Sequence, residues 1–129
     1  MPKAEGLTLP FDNEEKIRVD LLETIPYSGE KQLIEYKTDE FSAVCPFSGL
    51  PDFGTVIITY IPNTTLVELK SLKYYLTSYR SVGIYQEHLT NRLTKDLHTL
   101  LQPTYMKIST LYKTRGGIDT TCHIEKGTR

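Results

Sequence analysis

The chain has 129 residues, of which 39% are hydrophobic and 24% charged, and its formal net charge is −1. This length and composition predict one globular domain and exclude a disordered or fibrous protein. The near-neutral charge argues against non-specific binding to nucleic acid or to a membrane surface, so any basic site must be local. No segment offers the roughly 20 apolar residues of a membrane span, and no signal-peptide pattern is present, so we expect a cytoplasmic protein.

The first thirty residues are polar and interrupted by prolines. This pattern predicts a surface arm over residues 1–30, followed by a single domain over residues 31–129. Two strand patterns open that domain. Residues 32–41 alternate apolar and polar side chains, and residues 55–61 are β-branched and aromatic.

Two helical patterns follow these strands. Leucines and a tyrosine recur at three- and four-residue spacing from Leu69 to Tyr79, and Gly83 is a suitable terminator. A second leucine stripe begins at Leu89 and ends before Pro103. Both stripes are typical of helices that pack on a sheet.

Two further strands are predicted at residues 105–113 and 118–126. The resulting order β-β-α-α-β-β indicates an α+β domain with two helices on one face of an antiparallel sheet. Such a short sheet has open edges, so pairing between subunits is a natural way to protect them.

Cys45 and Asp52 flank a loop that is stiffened by Pro46 and Pro51 and bent at Gly49. The thiolate is the nucleophilic form of cysteine, and an unperturbed thiol with a pKa of ~8.5 is mostly protonated at neutral pH. If the loop folds back, the carboxylate can take the thiol proton and later return it as an acid.

Two alternatives to this pairing stay open. The thiol and carboxylate could be a buried core residue and a loop cap. A histidine could instead serve as the base, the candidates being His88, His98 and His123. The second cysteine, Cys122, lies in an alternating pattern typical of a buried strand residue, and we expect both cysteines to be free thiols.

A second dense motif covers residues 68–75, Glu-Leu-Lys-Ser-Leu-Lys-Tyr-Tyr. A helix that begins near Glu68 places Lys70 and Lys73 on one face, with Arg80 two turns further on. Cations near the free N–H groups of a helix N-terminus suit phosphate groups, although an ordinary solvated helix face has the same pattern. No glycine-rich G-x-G-x-x-G motif follows a strand, so a nucleotide must be held by side chains, to which a neighbouring subunit could add contacts.

These motifs resemble the NADPH-dependent 7-cyano-7-deazaguanine reductases, the nitrile reductases of queuosine biosynthesis. The segment Glu68–Tyr75 matches the family signature, and the Cys45–Asp52 loop, Tyr85–Glu87 and Arg115–Gly117 resemble further landmarks in the family order. The resemblance covers Leu33–Glu125 and is to the short, single-module branch.

The resemblance implies the tunnelling fold shared with GTP cyclohydrolase I. In that fold, small β-β-α-α-β-β subunits assemble into stacked homo-oligomeric rings with active sites between subunits. It also implies a deazapurine nitrile as substrate and two NADPH molecules per turnover, with no metal in the active site and no direct contact with nucleic acid. Cys45 would add to the nitrile carbon to give a thioimide, and Asp52 would supply protons.

The remaining implied site residues fall into two groups. The substrate-binding group is Val67, Glu68, Leu69, Gln86 and Glu87, in which Glu87 anchors the guanine-like edge. The group that meets the NADPH phosphates is Lys70, Ser71, Lys73 and Arg115. Many family members have histidine at the position of Gln86, and glutamine can donate a hydrogen bond but cannot carry a proton.

Three rival functions have distinct requirements. A transferase that forms the same thioimide but adds an amine should lack the NADPH signature. A zinc-dependent cyclohydrolase needs thiolate and imidazole ligands at a spacing that is absent around Cys45. A non-catalytic purine- or pterin-binding ring would bind its ligand without any adduct on Cys45.

Overall fold

The computed structural model describes residues 3–129, so residues 1 and 2 of the predicted arm lie outside the described range. The strands are β1 (Thr24–Pro26), β2 (Ile34–Val44), β3 (Pro51–Ile61), β4 (Thr65–Val67), β5 (Tyr105–Arg115) and β6 (Ile118–Gly127). The helices are α1 (Leu69–Thr77) and α2 (Gln86–Leu101), and short 3-10 turns cover Glu14–Lys16 and Val19–Leu21.

Four strands form one antiparallel sheet in the order β2-β3-β5-β6, while β1 and β4 pair in a separate two-stranded sheet. The predicted order of two hairpins around two helices is confirmed. The sequence did not predict β1 and β4, because three residues are too few for an alternating pattern. Within residues 3–129, none of the helices has the length and apolar character needed to cross a membrane.

The core lies between the sheet and the two helices. Alternate residues of β3, including Val56, Ile58 and Tyr60, are buried, as period-two alternation requires when one face of a sheet is covered. From α2, Leu89 and Leu93 pack in the same cluster and are fully buried. Each buried apolar side chain of this size contributes about 1.5–3 kcal/mol relative to exposure, so the leucine stripes position the helices on the sheet.

The segment before residue 31 is more integrated than the predicted surface arm. Ile17 and Leu22 are buried in the core cluster, and Thr24–Pro26 pairs with β4. Ile17, Val19 and Leu21 alternate with charged residues, but the buried side chains are Ile17 and Leu22, so this alternation does not mark them in the sequence.

Local chemistry explains where α1 begins and where α2 ends. The helix α1 begins next to Glu68, as predicted. Glu68 is its N-cap, and its carboxylate accepts hydrogen bonds from the N–H groups of Lys70 and Ser71. At the end of α2, Gln102 adopts a left-handed conformation with φ of 43°, directly before Pro103. These contacts therefore define the residues at which the two helices begin and end next to the sheet.

Candidate active site

The hairpin of β2 and β3 brings Cys45 and Asp52 together. Val44 and Pro51 are cross-strand partners, so Cys45 begins the connecting loop and Asp52 lies one residue inside β3. The loop closes on itself, because the Cys45 N–H donates to the Leu50 carbonyl (2.9 Å) and the Gly49 N–H donates to the Cys45 carbonyl (2.7 Å). The loop therefore folds back as the sequence predicted.

Both reactive groups are shielded from solvent. Cys45 is 8% exposed and Asp52 is 7% exposed. Burial disfavours the charged form of each group, so neighbouring donors and charges decide which form dominates.

The environment of Cys45 favours the thiolate. Burial raises the pKa of the thiol, but hydrogen bonds from the Ser48 hydroxyl, from the backbone N–H groups of Ser48 and Phe47, and from Arg115 lower it. The net result is a pKa below the usual cysteine value. A cysteine surrounded by hydrogen-bond donors and beside an arginine is the typical setting of a nucleophilic thiol.

The pKa of Asp52 is shifted upwards, in the opposite direction to that of Cys45. Burial raises the pKa of this carboxyl, and the charge and hydrogen bond of Arg115 lower it only partly, so the net pKa lies above the usual aspartate value. A carboxyl that holds its proton more readily is suited to act as an acid. The paired shifts therefore give one group prepared to attack and another prepared to protonate.

Arg115 links the two reactive groups. Its guanidinium forms an ion pair and hydrogen bond with the Asp52 carboxylate, and it also lies within reach of the Cys45 thiol. Strict alternation from Tyr112, which faces the helices, would place Arg115 on the opposite face of the sheet. The register of β5 and β6 shifts between these two residues, and this shift allows the guanidinium to reach Asp52.

Gln86 fixes the start of α2 against the sheet. Its side-chain amide donates to the carbonyl oxygens of Thr110 (3.0 Å) and Thr120 (3.0 Å), and the side chain is 7% exposed. The neighbouring Glu87 is exposed in the first turn of the same helix. Gln86 therefore positions Glu87, whose carboxylate remains open to a ligand.

The residues of the second motif divide into structural and solvent-facing groups. Val67 is buried in β4, and Glu68 caps α1. The Ser71 hydroxyl donates to the Glu68 carbonyl (2.7 Å) and accepts from the Glu23 N–H (3.0 Å). Since the Glu68 carboxylate already occupies the first free N–H groups of α1, this helix end does not offer them to a phosphate.

The two lysines of that motif lie in different surroundings. The Lys70 ammonium lies 5.8 Å from the centroid of the Tyr74 ring, while Lys73 lines a cavity of about 430 Å³ between α1 and β2. Lys37 and Arg80 line the same cavity, whose lining includes neither Cys45 nor Asp52. The fit to NADPH is thus mixed, since side-chain cations for its phosphates are present but the helix N-terminus is already capped.

Sequence reasoning missed Tyr112. Its hydroxyl is buried and has no hydrogen-bond partner within residues 3–129. Burial, followed by the negative charges of Asp52, Cys122 and Glu87, raises the pKa of this phenol. The available signal was Gly54, since a glycine within a β-branched strand indicates close approach of another group. A Cβ at that position would lie 2.6 Å from the Tyr112 ring.

Cys122 is a free thiol like Cys45, as predicted. It lies in β6 opposite Thr110 but is only half-buried, because β6 is an edge strand of the sheet. No group of three or more histidine, cysteine or acidic side chains within residues 3–129 is arranged to hold a metal ion.

Comparisons with known proteins show the family of this chain. Residues 51–129 match the family described as "QueF-like protein". The NADPH-dependent 7-cyano-7-deazaguanine reductase of Thermotoga maritima is 54% identical over 122 residues, which cover 94% of this chain and 89% of the relative. The protein of the same name from Caldanaerobacter subterraneus subsp. tengcongensis is 56% identical over 108 residues, covering 82% of this chain and 81% of the relative.

Among solved structures, the apo form of an archaeosine synthase described as QueF-Like superposes with a TM-score of 0.68 at 23% identity. It covers 80% of this chain and 99% of the compared chain, and this similarity confirms the predicted fold class. The alignment with the Thermotoga maritima reductase covers 94% of this chain, at 54% identity overall. This chain therefore belongs to the QueF-like family, together with the NADPH-dependent 7-cyano-7-deazaguanine reductases that it matches.

Proposed function

We propose that this protein is an NADPH-dependent oxidoreductase that converts the nitrile of 7-cyano-7-deazaguanine to a primary amine, giving 7-aminomethyl-7-deazaguanine for queuosine synthesis. The observation that carries the proposal is the Cys45–Arg115–Asp52 arrangement, in which the thiol pKa is lowered and the carboxyl pKa raised. It stands in a chain more than half identical to reductases of that name.

The arrangement explains how the nitrile is activated. A neutral nitrile accepts hydride poorly until sulfur adds to its carbon and its nitrogen is protonated. The Cys45 thiolate forms the carbon–sulfur bond, and Asp52 donates a proton to the nitrogen as the triple bond becomes a double bond, which gives a thioimide. Arg115 lies against both groups and stabilises the Cys45 thiolate before the reaction and the Asp52 carboxylate that remains after its proton is donated.

Two NADPH molecules, bound in succession, would each supply one hydride, and two protons complete the conversion of the nitrile to the amine. The thiolate is released when the carbon–sulfur bond breaks, and its lowered pKa makes Cys45 a good leaving group. We assign Lys70, Lys73 and the exposed edge of Arg115 to the cofactor phosphates. Ser71 supports them by its hydrogen bond to Glu68.

For the substrate, we assign Glu87 to the guanine-like edge, whose adjacent N–H donors match the two oxygens of a carboxylate. Gln86 holds that carboxylate in place through its bonds to the sheet. Leu69 is 56% exposed and offers an apolar surface at the start of α1, beside Glu68 and the buried Val67. These three residues are proposed to contact the base.

We further propose that the protein works as a homo-oligomeric ring in the cytoplasm, where NADPH and its nucleobase substrate are available. The strands β2 and β6 are the outer strands of the four-stranded sheet. Within the described chain the outer side of β2 pairs only at Val44, with Gly83, and the outer side of β6 has no strand partner. Pairing of β2 with β6 of a neighbouring subunit would satisfy these edges. Native mass spectrometry tests this assembly, and a monomer at working concentration would contradict it.

The decisive test of the reaction is the intact mass after mixing with 7-cyano-7-deazaguanine in the absence of NADPH. Wild-type protein should gain the mass of one substrate, and peptide mapping should place it on Cys45. The Cys45→Ala variant should gain nothing, whereas Cys122→Ser, a control at the other free thiol, should behave as wild type. Binding without an adduct would favour a non-catalytic ring, and an adduct without subsequent NADPH oxidation would favour the amine-adding transferase.

A further inference from the structure

The segment from Thr8 to Asp12 crosses directly over the Cys45 loop. The Leu9 N–H donates to the carbonyl of Ser48 (2.9 Å), and the Thr8 hydroxyl donates to the carbonyl of Phe47 (3.0 Å). The loop therefore receives two hydrogen bonds from a part of the chain about forty residues away.

This contact is close as well as hydrogen-bonded. Gly49 has a φ of +75°, and a Cβ at that position would lie 2.2 Å from the Leu9 carbonyl oxygen. Only glycine accommodates both this backbone conformation and this proximity. The loop and the segment are thus shaped to fit one another at the backbone level.

The same segment is anchored firmly at its other end. The Asp12 N–H donates to the Ser81 carbonyl (2.7 Å), the Gly83 N–H donates to the Asp12 carbonyl (2.8 Å), and the Ser81 hydroxyl donates to the Asp12 carboxylate (2.7 Å). The Phe11 ring packs against Gly83, where a Cβ would lie 2.1 Å from it. These contacts fix the position of Thr8 and Leu9 relative to the body of the protein.

Residues 82–84, which hold Asp12, are also hydrogen-bonded to the end of β2, directly before Cys45. The Val44 N–H donates to the Val82 carbonyl (2.9 Å), and the Ile84 N–H donates to the Val44 carbonyl (3.1 Å). Val44 directly precedes Cys45. The loop is therefore held from both sides, by residues 82–84 at its base and by Thr8 and Leu9 over its top.

The carbonyls of Phe47 and Ser48 that the segment binds belong to the residues whose N–H groups face the Cys45 thiol. A carbonyl held on one side of the loop restricts the rotation of the adjoining peptide units. We propose that Thr8 and Leu9 are positioning residues that hold the 47–48 stretch of the loop so that its donors converge on the Cys45 sulfur.

The proposal rests on the proposed function only in taking Cys45 as the nucleophile. It assigns a role to a segment outside residues 51–129, the part that matches the family description. Neither Thr8 nor Leu9 is expected to touch the substrate. Their effect should appear in the acidity and reactivity of the thiol.

The test is the rate at which iodoacetamide alkylates Cys45, measured across pH by peptide mass spectrometry in a Cys122→Ser background. Thr8→Val keeps the side-chain shape but removes the hydroxyl donor. The alkylation midpoint should rise by about half a pH unit, and the rate at neutral pH should fall by about threefold, the scale of one lost hydrogen bond. Thr8→Ser, which restores the hydroxyl, should recover the wild-type profile.

A second variant tests the other hydrogen bond of the segment, independently of any change in the hydration of residue 8. Leu9→Pro removes the N–H that donates to Ser48, at a position that already precedes Pro10, and it should shift the midpoint in the same direction. Thr99→Val, which changes an exposed threonine on α2, serves as the matched control and should leave the profile unchanged.

Alkylation needs neither the nitrile nor NADPH, so its outcome is independent of whether the protein reduces nitriles. Wild-type profiles for both Thr8→Val and Leu9→Pro would overturn the proposal. An equal shift in Thr99→Val would overturn it as well, since the effect would then follow from general destabilisation.

Discussion

Replacing Arg115 by methionine tests whether one guanidinium sets the protonation of both reactive groups. Methionine keeps an unbranched apolar stem but removes the charge and all donors. Because Arg115 lowers the pKa of Asp52 and of Cys45, its loss should raise both pKa values.

The expected change in the pKa of Asp52 depends on how exposed its partner Arg115 is to solvent. Two unit charges about 4 Å apart interact by about 4 kcal/mol at an effective dielectric constant of about 20. The Arg115 side chain is 52% exposed, so solvent screens much of this interaction and about 1 kcal/mol remains. Since 1.36 kcal/mol corresponds to one pKa unit, the pKa of Asp52 should rise by about 0.5–1 unit.

The sign of the stability effect follows from proton linkage. In the window above the unfolded-state pKa of an aspartate, a raised folded-state pKa means that the folded protein binds more protons than the unfolded one. Stability therefore falls as the pH rises through that window, and removing Arg115 extends the window upwards. Arg115→Met should lose about 1 kcal/mol more than wild type as the pH rises from about 4 through the raised folded-state pKa of Asp52.

Urea unfolding at several pH values measures this difference directly. Arg80→Met is the matched control, because Arg80 is exposed and lines the cavity between α1 and β2 instead of the Cys45 loop. The alkylation midpoint of Cys45 should also rise in Arg115→Met and stay constant in Arg80→Met. Identical pH dependence of stability in Arg115→Met and wild type would refute the assignment of Arg115 as the group that controls Asp52.

Four further outcomes are expected. Asp52→Asn should keep substrate binding but slow turnover by about two to four orders of magnitude, the scale of general acid loss, and normal single-turnover rates would exclude it as the proton donor. Glu87→Gln should weaken substrate binding by about tenfold in calorimetry, since an amide donor would face the substrate N–H groups, and unchanged affinity would place the anchor elsewhere. The double variant Lys70→Ala, Lys73→Ala should impair NADPH oxidation more than adduct formation, whereas an equal loss of both would remove these lysines from the cofactor site. Tyr112→Phe removes a buried hydroxyl that has no partner in residues 3–129, so thermal unfolding should show a gain of about 1 kcal/mol; a loss would mean that the hydroxyl is hydrogen-bonded in solution.

Much of the fold was accessible from the sequence, because its signals are local or periodic. The leucine stripes predicted both helices, and the start of α1 was expected near Glu68, where the structure places the N-cap. The strand pattern predicted at residues 55–61 is shorter than β3, which starts at Pro51. Pro51, Asp52 and Gly54 lower the apparent strand propensity of that end, but the pairing of β3 with β2 and β5 overrides it.

The site was predictable where its residues are close in sequence. Cys45 and Asp52 are joined by a short loop between paired strands, so their proximity follows once the hairpin is recognised. Arg115 could not be placed in the same way. Its contact with Asp52 depends on a register irregularity between β5 and β6, and such an irregularity leaves no periodic trace.

The segment around Leu9 shows a second kind of contact that the sequence alone could not predict. Its bonds to the Cys45 loop are mostly made by backbone groups, which every residue carries, so side-chain identity does not reveal them. The glycine at position 49 was interpreted from the sequence as a bend. The structure adds that this glycine also admits the passing backbone, and only coordinates distinguish the two requirements.

The placement of Arg115 can be reconciled with its proposed contact to the cofactor. A guanidinium carries five N–H donors along two edges, and the Asp52 carboxylate and Cys45 thiol require only part of them. About half of the Arg115 side chain remains exposed at the tip of the β5–β6 hairpin, where a phosphate can approach from solvent. A lysine at this position would offer a single point charge and could not present separate edges to two anionic partners. The geometry therefore accounts for an arginine at position 115, because one guanidinium contacts Asp52 and Cys45 and still leaves an exposed edge for the proposed phosphate contact.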